Sequence, residues 1–210
     1  MDAGLKQMID KQFEICKKNL INNNFGIDIL ESKEEVIPFL QKSIKRGSSI
    51  GVGGSMSLAQ CGIIKWLESN KDYDYIDRYN TDDSMAAIKN HLTCDVYLTS
   101  TNALLLNGGL YNVDGNGNRV SALTFGPEKV YVVVGYNKLV KDLDEAIKRV
   151  ERVAALANNF RLNKDNPCTQ VGSCVLCNKT STICNYYVYT RRSGYEKRIH
   201  ILLVKENLGY

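Results

Sequence analysis

No apolar run in this sequence approaches the roughly 20 residues that a membrane-spanning helix requires; the longest are short stretches such as Val130 to Val134. The first twenty residues, MDAGLKQMIDKQFEICKKNL, are charged throughout and contain neither an apolar h-region nor an A-x-A site. We therefore expect no signal peptide, no membrane span and a cytoplasmic protein. Charge of one sign is also scarce: 27 Lys and Arg against 23 Asp and Glu leave +4, too mild a surplus to imply nucleic acid. There is no internal repeat, low-complexity tract or linker. Histidine occurs only twice, as His91 at a helix end and His200 in a strand. No Ser–His–Asp arrangement can be assembled from these, and both read as structural. What remains is an ordinary globular composition, 44% apolar and 24% charged over 210 residues. That length buries a substantial core and suits one domain, residues 1–210.

Helical and strand patterns alternate along most of the chain. Leu5, Met8, Ile9, Phe13, Cys16 and Leu20 recur at steps of three and four, which predicts an amphipathic first helix. Ser32 to Glu35 reads as a capping box opening a second helix. Leu104 to Leu106 and Leu110 to Val113 flank Asn107-Gly108-Gly109 and predict a hairpin. The valine run from Val130 has the texture of a strand buried on both faces. Leu143 to Leu156 continues as a long helix. The expected fold is α/β: an open, mostly parallel Rossmann-like sheet with helices on both faces, one β-hairpin excursion and a C-terminal cysteine-rich loop. Two late runs, Tyr186 to Thr190 and Ile199 to Val204, are expected to pair with the sheet or with each other.

Two polar segments suit a small anionic ligand. Ser49-Ile-Gly51-Val-Gly53-Gly54-Ser55-Met-Ser57 lies between a strand and a helix. Converging backbone N–H groups there, with the hydroxyls of Ser55 and Ser57, predict an anion-binding loop. It is neither a dinucleotide fingerprint nor a Walker loop, because Met56 occupies the final glycine position and the Gly-Lys-Ser/Thr ending is missing. A ligand-free βα turn is the plainer reading. The second segment is Asp114-Gly-Asn116-Gly-Asn118-Arg119. It is not an EF-hand, since Arg119 stands at the glycine position and Phe125 at that of the bidentate Glu. Asp114 is the candidate general base, Asn102 and Asn118 candidate oxyanion donors, and Arg119 a candidate fork for carboxylate or phosphate. An Asx turn with a surface Arg–Asp pair is the alternative.

The seven cysteines divide into two groups. Cys16, Cys61 and Cys94 sit among apolar neighbours and are expected in the core. The other four follow the spacing Cys168-x5-Cys174-x2-Cys177-x6-Cys184, inside a polar segment, residues 161–185, that reads as a metal-type insertion. Clustered thiols in a reducing compartment point to metal or redox chemistry. One short Cys-x-x-Cys knuckle is fewer than structural zinc usually has, and the spacing is not a ferredoxin run. Ligand softness places an iron–sulfur cluster slightly ahead of zinc, with metal-free thiols as the third reading. Arg191, Arg192, Lys197 and Arg198 read as a solvated face rather than a nucleic-acid site.

Taken together, Gly51-Val-Gly-Gly-Ser55, Thr101-Asn-Ala103, Asp114 to Val120, Phe125-Gly-Pro-Glu-Lys-Val130 and Val132-Val-Val-Gly-Tyr-Asn-Lys138 resemble the lactate utilisation (LUD) domain family, in its cysteine-bearing single-domain branch. The resemblance covers nearly the whole chain. It implies a fold similar to ribose-5-phosphate isomerase, glucosamine-phosphate deaminase and the CoA transferases, with Gly51 to Ser55 as counterpart of a sugar-phosphate loop. The ligands expected are an organic acid, a phosphosugar or a CoA ester, and the partners iron–sulfur redox proteins; a homo-oligomer is compatible with this. Two functional classes stay open. One is an enzyme acting on a small anionic metabolite. The other is a non-catalytic redox accessory or metal- or metabolite-sensing protein.

Overall fold

The computed structural model describes residues 2–210. In chain order the elements are α1 (Ala3–Asn22), β1 (Gly26–Leu30), α2 (Val36–Ser43), β2 (Ser49–Val52), α3 (Met56–Gln60), α4 (Ile63–Ser69), β3 (Asp74–Tyr75), α5 (Ser84–Asn90), β4 (Val96–Thr99), β5 (Ala103–Leu105), β6 (Leu110–Asp114), α6 (Asn118–Thr124), β7 (Lys129–Gly135), β8 (Leu139–Val140), α7 (Leu143–Arg149), α8 (Ala155–Arg161), α9 (Pro167–Val171), β9 (Tyr186–Thr190) and β10 (Ile199–Val204). Six strands form a parallel sheet in the order β1-β10-β7-β4-β2-β3. Four more form a small mixed sheet, β8-β5-β6-β9, around the β5–β6 hairpin.

Alternation along β7 explains how the large sheet is covered. Val130, Val132 and Val134 point to one face, where they meet Phe13, Cys16 and Leu20 of α1 and Ala122 and Leu123 of α6. Tyr131 and Val133 point to the other, against Leu40 of α2, Leu58 of α3 and Leu67 of α4. Strand side chains have period two, so a buried central strand must be apolar at every position. A third, smaller core joins the small sheet to α7 through Ala103, Leu105, Tyr111, Ala146 and Val150. Cys16, Cys61 and Cys94 are all buried. Between α7 and α8 the long helix continues through one π turn, Val150–Ala154.

Two local expectations are corrected. Ser32 makes no helix cap: the chain enters α2 through a 3-10 turn, Lys33–Glu35. Glu35 Oε2 accepts from Glu31 N–H at 3.1 Å, one residue ahead of the N–H that a capping box would use. For the last two strands, of the two pairings left open, with a sheet or with each other, the first is found. β10 is apolar on both faces and enters the centre of the large sheet, whereas β9, with tyrosines half exposed, takes the edge of the small one. Arg198 is likewise not a solvated charge. Its guanidinium donates to the carbonyls of Ala122, Leu123 and Pro127, covering the C-terminal end of α6.

Burial separates side chains that hold this fold from those that do not. Phe13→Ala should lower unfolding free energy by about 3–5 kcal/mol, the range for emptying a buried aromatic site. Phe125→Ala, at a side chain 76% exposed, should stay within about 0.5 kcal/mol of the parent. Urea titrations of the two variants measure both values.

Candidate functional site

A cavity of about 210 Å3 opens beyond the carboxyl ends of β2, β4 and β7. Open α/β sheets place ligands at this end, because the strand-to-helix loops there are free to vary. The glycine loop supplies Gly54 and Ser55, the segment after β4 supplies Ser100 to Asn102, and the end of β6 with the start of α6 supplies Asp114, Asn118 and Arg119. The sequence segments read as ligand-binding therefore do line one cleft, though not every residue in them reaches it.

Gly51 lies inside β2, where a Cβ would stand 2.8 Å from the His91 ring. It accommodates a neighbour, not a ligand. Gly53 is similar: its N–H donates to Leu98 O, and a Cβ would come within 2.8–3.2 Å of Tyr97, Thr99 and Arg119. Gly54 is exposed in the loop, and Ser55 caps α3 by accepting from Leu58 N–H at 3.4 Å. Neither Gly54 nor Ser55 has an acceptor for its backbone N–H among the described residues. Ser57 is wholly buried, with its hydroxyl held by Leu208 O and Lys138.

The second segment is more constrained than its sequence suggests. Asp114 Oδ1 accepts from the N–H groups of Asn116 and Gly117, an Asx turn completed by a positive φ of 78° at Gly117. Its Oδ2 stands 3.4 Å from Arg119 Nε. The rest of the Arg119 fork is spent inside the protein. Nη1 donates to Ser100 O and Asn112 Oδ1, and Nη2 to Asn102 Oδ1 and Val113 O. Four of the five N–H groups of the guanidinium are thereby hydrogen-bonded, and the fifth, on Nε, faces the Asp114 carboxylate as an ion pair. Arg119 faces the cavity as charge, with both terminal nitrogens of its fork committed inside the protein. Asn102 Oδ1 also accepts from Val113 N–H, which fixes the orientation of its side-chain amide, and both Asn102 and Asn118 stand at the cavity wall.

Residues that sequence reasoning passed over complete the cleft. Lys138, in the turn after β7, is 3% exposed, with Nζ 2.9 Å from Ser57 Oγ, 3.0 Å from Ser100 Oγ and 3.2 Å from Thr101 O. Burial first, then Arg149 and Arg119, push its pKa down to about 7. Arg78 extends its guanidinium over the glycine loop, 3.6 Å from where a Gly54 Cβ would lie, and has no carboxylate partner among the described residues. Arg161, at the end of α8, lies at the exposed margin. Asp114 is the one carboxylate side chain among the lining residues, so the cleft is electropositive. His91 and His200 are elsewhere, bonded to Ile76 O and Asp28.

The four clustered cysteines line a second cavity of about 100 Å3, together with Glu151, Asn159 and Tyr187. Asn166 ties its segment down: Nδ2 donates to Asn159 Oδ1 and Ser181 O, and Oδ1 accepts from Ser181 Oγ. At the knuckle, Leu176 has φ 48° and its N–H points at Cys174 Sγ from 3.5 Å. Burial, followed by the other three thiols, pushes Cys184 up to about 11. Among the described residues no three His, Cys, Asp or Glu side chains stand close enough to ligate one ion as placed. The donor set is nevertheless four thiols around one small cavity. The two cavities share walls. Asn158 and Arg161 of α8 line the first and Ala155 and Asn159 the second, and Ile183 and Cys184 divide in the same way.

The family model for the LUD domain matches residues 13–204. The chain belongs to the LUD domain family. A solved structure of a DUF162 family protein from Deinococcus radiodurans superposes with a TM-score of 0.54 at 13% identity, covering 93% of this chain and 98% of that one, which shows a common fold. A search of curated proteins finds no match. No described helix of this LUD protein is long and apolar enough to cross a membrane.

Two outcomes follow from the buried cations. Arg119→Lys keeps the charge but leaves buried acceptors such as Asn112 Oδ1 unpaired, so stability should fall by about 1–3 kcal/mol even without ligand. Urea unfolding measures it. Lys138 releases its proton near pH 7 when folded and near its ordinary 10.5 when unfolded. The unfolded chain therefore binds more protons between these values, and stability should rise with pH across that window, with no contribution to the slope below it. Comparing the parent with Lys138→Met over pH 6 to about 10 isolates that slope.

Proposed function

We propose that this LUD protein is a lactate-utilisation-type metabolic protein that binds a small anionic metabolite, an organic acid, phosphosugar or CoA ester, in the cleft beside the glycine loop. The observation that carries this is Arg78, a guanidinium with no carboxylate partner set over Gly54, beside loop N–H groups that have no acceptor. Membership of the family supports lactate-utilisation-related metabolism without naming the ligand. Backbone N–H donors and a free guanidinium are the groups that grip carboxylates and phosphates, and the buried charge of Arg119 and Lys138 adds long-range attraction. Asp114 and Asn118 shape the wall, and Arg119 acts as a fixed strut. Sulfate, phosphate and lactate should each raise the melting temperature, and Arg78→Ala should weaken binding about tenfold or more, the loss expected for a charge-assisted hydrogen bond. Binding should also tighten as pH falls through about 7, because Lys138 gains its proton there. Equal stabilisation of parent and Arg78→Ala would remove the assignment.

The thiol cavity favours a second element of the same reading. Cys168, Cys174, Cys177 and Cys184 would hold one metal centre, an iron–sulfur cluster or zinc. The first would supply one-electron transfer with iron–sulfur partners, and the second a structural cross-link. If this cavity dominates, the protein is a redox accessory or sensor rather than an enzyme. Leu176 N–H aimed at Cys174 Sγ supports a thiolate knuckle, since such a donor stabilises negative sulfur. Elemental analysis after anaerobic purification should find iron or zinc in the parent and a loss in Cys177→Ser, with the parallel sheet intact by circular dichroism. Metal-free protein with four rapidly titrating thiols would overturn it.

A further inference from the structure

Lys138 and Ser100 form a pair that anion binding alone does not use. We propose that Ser100 is an acyl-accepting nucleophile activated by Lys138, and that the cleft transfers or hydrolyses the acyl group of a small, negatively charged ester or thioester. The inference rests on the anion-binding reading of the same cleft. It starts from counting protons around Nζ. An ammonium donates three hydrogen bonds, and Lys138 has three partners: Ser57 Oγ, Ser100 Oγ and Thr101 O. A neutral amine donates two and must accept one. Thr101 O is a carbonyl and has no proton. The Ser57 hydroxyl already donates to Leu208 O at 3.1 Å. Ser100 is therefore the one partner that can turn its proton toward the lysine, since its other contacts, Ser57 Oγ at 3.4 Å and Thr101 O at 3.3 Å, are long.

Placement separates the two serines further. Ser57 is fully buried and does not line the cleft, so it holds Nζ in position. Ser100 lines the cleft in the residue after β4, at the carboxyl end of a central parallel strand. The charged groups facing Lys138 are Arg149 from α7 and Arg119 from α6, and Asp114 is already engaged by Arg119. With cations as neighbours and little water, the amine is held ready to take a proton near neutral pH. Gly54 and Ser55 provide acceptor-free N–H groups on the same cleft, the kind of donor an oxyanion requires, and Arg78 and Arg161 supply charge for the acyl donor's anionic end.

The step balances within the cleft. Ser100 Oγ passes its proton to Lys138 Nζ and bonds the carbonyl carbon. The bond to the leaving thiolate or alkoxide breaks, and Lys138 returns the proton to that group. Water then repeats the sequence on the Ser100 ester, releasing a carboxylic acid and restoring the serine.

The test uses intact protein and the 4-nitrophenyl half-ester of succinic acid. A nitrophenol burst is expected, with one succinyl group mapped to Ser100 by peptide mass spectrometry. The acylation rate should climb with pH and level off above about 7. Ser100→Ala should abolish the burst, and Lys138→Met should slow it by about a hundredfold or more, the usual share of a general base. A fluorophosphonate probe should label the parent at Ser100, which requires no variant. Label on Ser57 or on surface residues only, or an undiminished burst in Ser100→Ala, overturns the proposal. Ser100→Ala should still gain stability from sulfate, so loss of acylation with retained anion binding would separate this inference from the reading beneath it.

Discussion

Five N–H groups on one guanidinium organise the end of the sheet where the cleft opens. Arg119 reaches from α6 to the carbonyl after β4, to Asn102 ahead of β5, and to Asn112, Val113 and Asp114 on β6. The large sheet and the small sheet, which also share the apolar core around Leu104, Leu110 and Val132, are thus tied together by one polar side chain. A buried charge is costly unless it is paired and hydrogen-bonded, and here four N–H groups have acceptors and the Asp114 carboxylate faces the fifth. Gly53 leaves room for this packing, since a Cβ there would lie 2.8 Å from the Tyr97 hydroxyl, 2.9 Å from the Thr99 hydroxyl and 3.2 Å from the arginine stem. Lys138 enters the same region from β7 and pins Ser57, Ser100 and Thr101. The cleft is consequently a rigid concavity walled by cations that the protein itself has oriented, and that rigidity lowers the cost of receiving an anion.

The cysteine-bearing segment is a neighbour of this cleft, not a remote appendage. Ile183 and Cys184 are adjacent in the chain, yet one lines the anion cleft and the other the thiol cavity. Gly115 packs against the Ile183 backbone, and Asn185 bonds both Asp114 O and Gly115 O. The thiol segment and the Asx turn therefore hold each other in place, and a displacement of Cys184 is carried across one peptide bond to the cleft wall.

How far the sequence could be read depended on the range of the interactions involved. The valine run of β7, the hairpin at Asn107 to Gly109 and the first helix are local patterns, and the parallel sheet with helices on both faces follows from them. The glycine loop and the Asp114 turn were legible as one site because each ends a strand on the same side. Lys138 was not legible. Its partner Ser57 lies 81 residues away and Ser100 lies 38 away, so no spacing announces the cluster. Arg119 showed the opposite difficulty: its residue type suited ligand binding, but acceptors from two separate segments, residues 100–102 and 112–114, take both ends of its fork. For β9 and β10 two pairings stayed open, with a sheet or with each other, and their burial patterns send them to different sheets.

The single π turn between α7 and α8 adds one residue to a helix that would otherwise keep a constant angular step. An α-helix advances about 100° per residue, so this extra residue sets the azimuth of everything that follows it. Asn158 and Arg161 look onto one cavity and Asn159 onto the other because of that offset. Removing Val153 from Val150–Ala154 would restore regular winding and turn α8 by about 100° against the sheets. Both walls would then be misaimed together, although no side chain of either cavity had been altered.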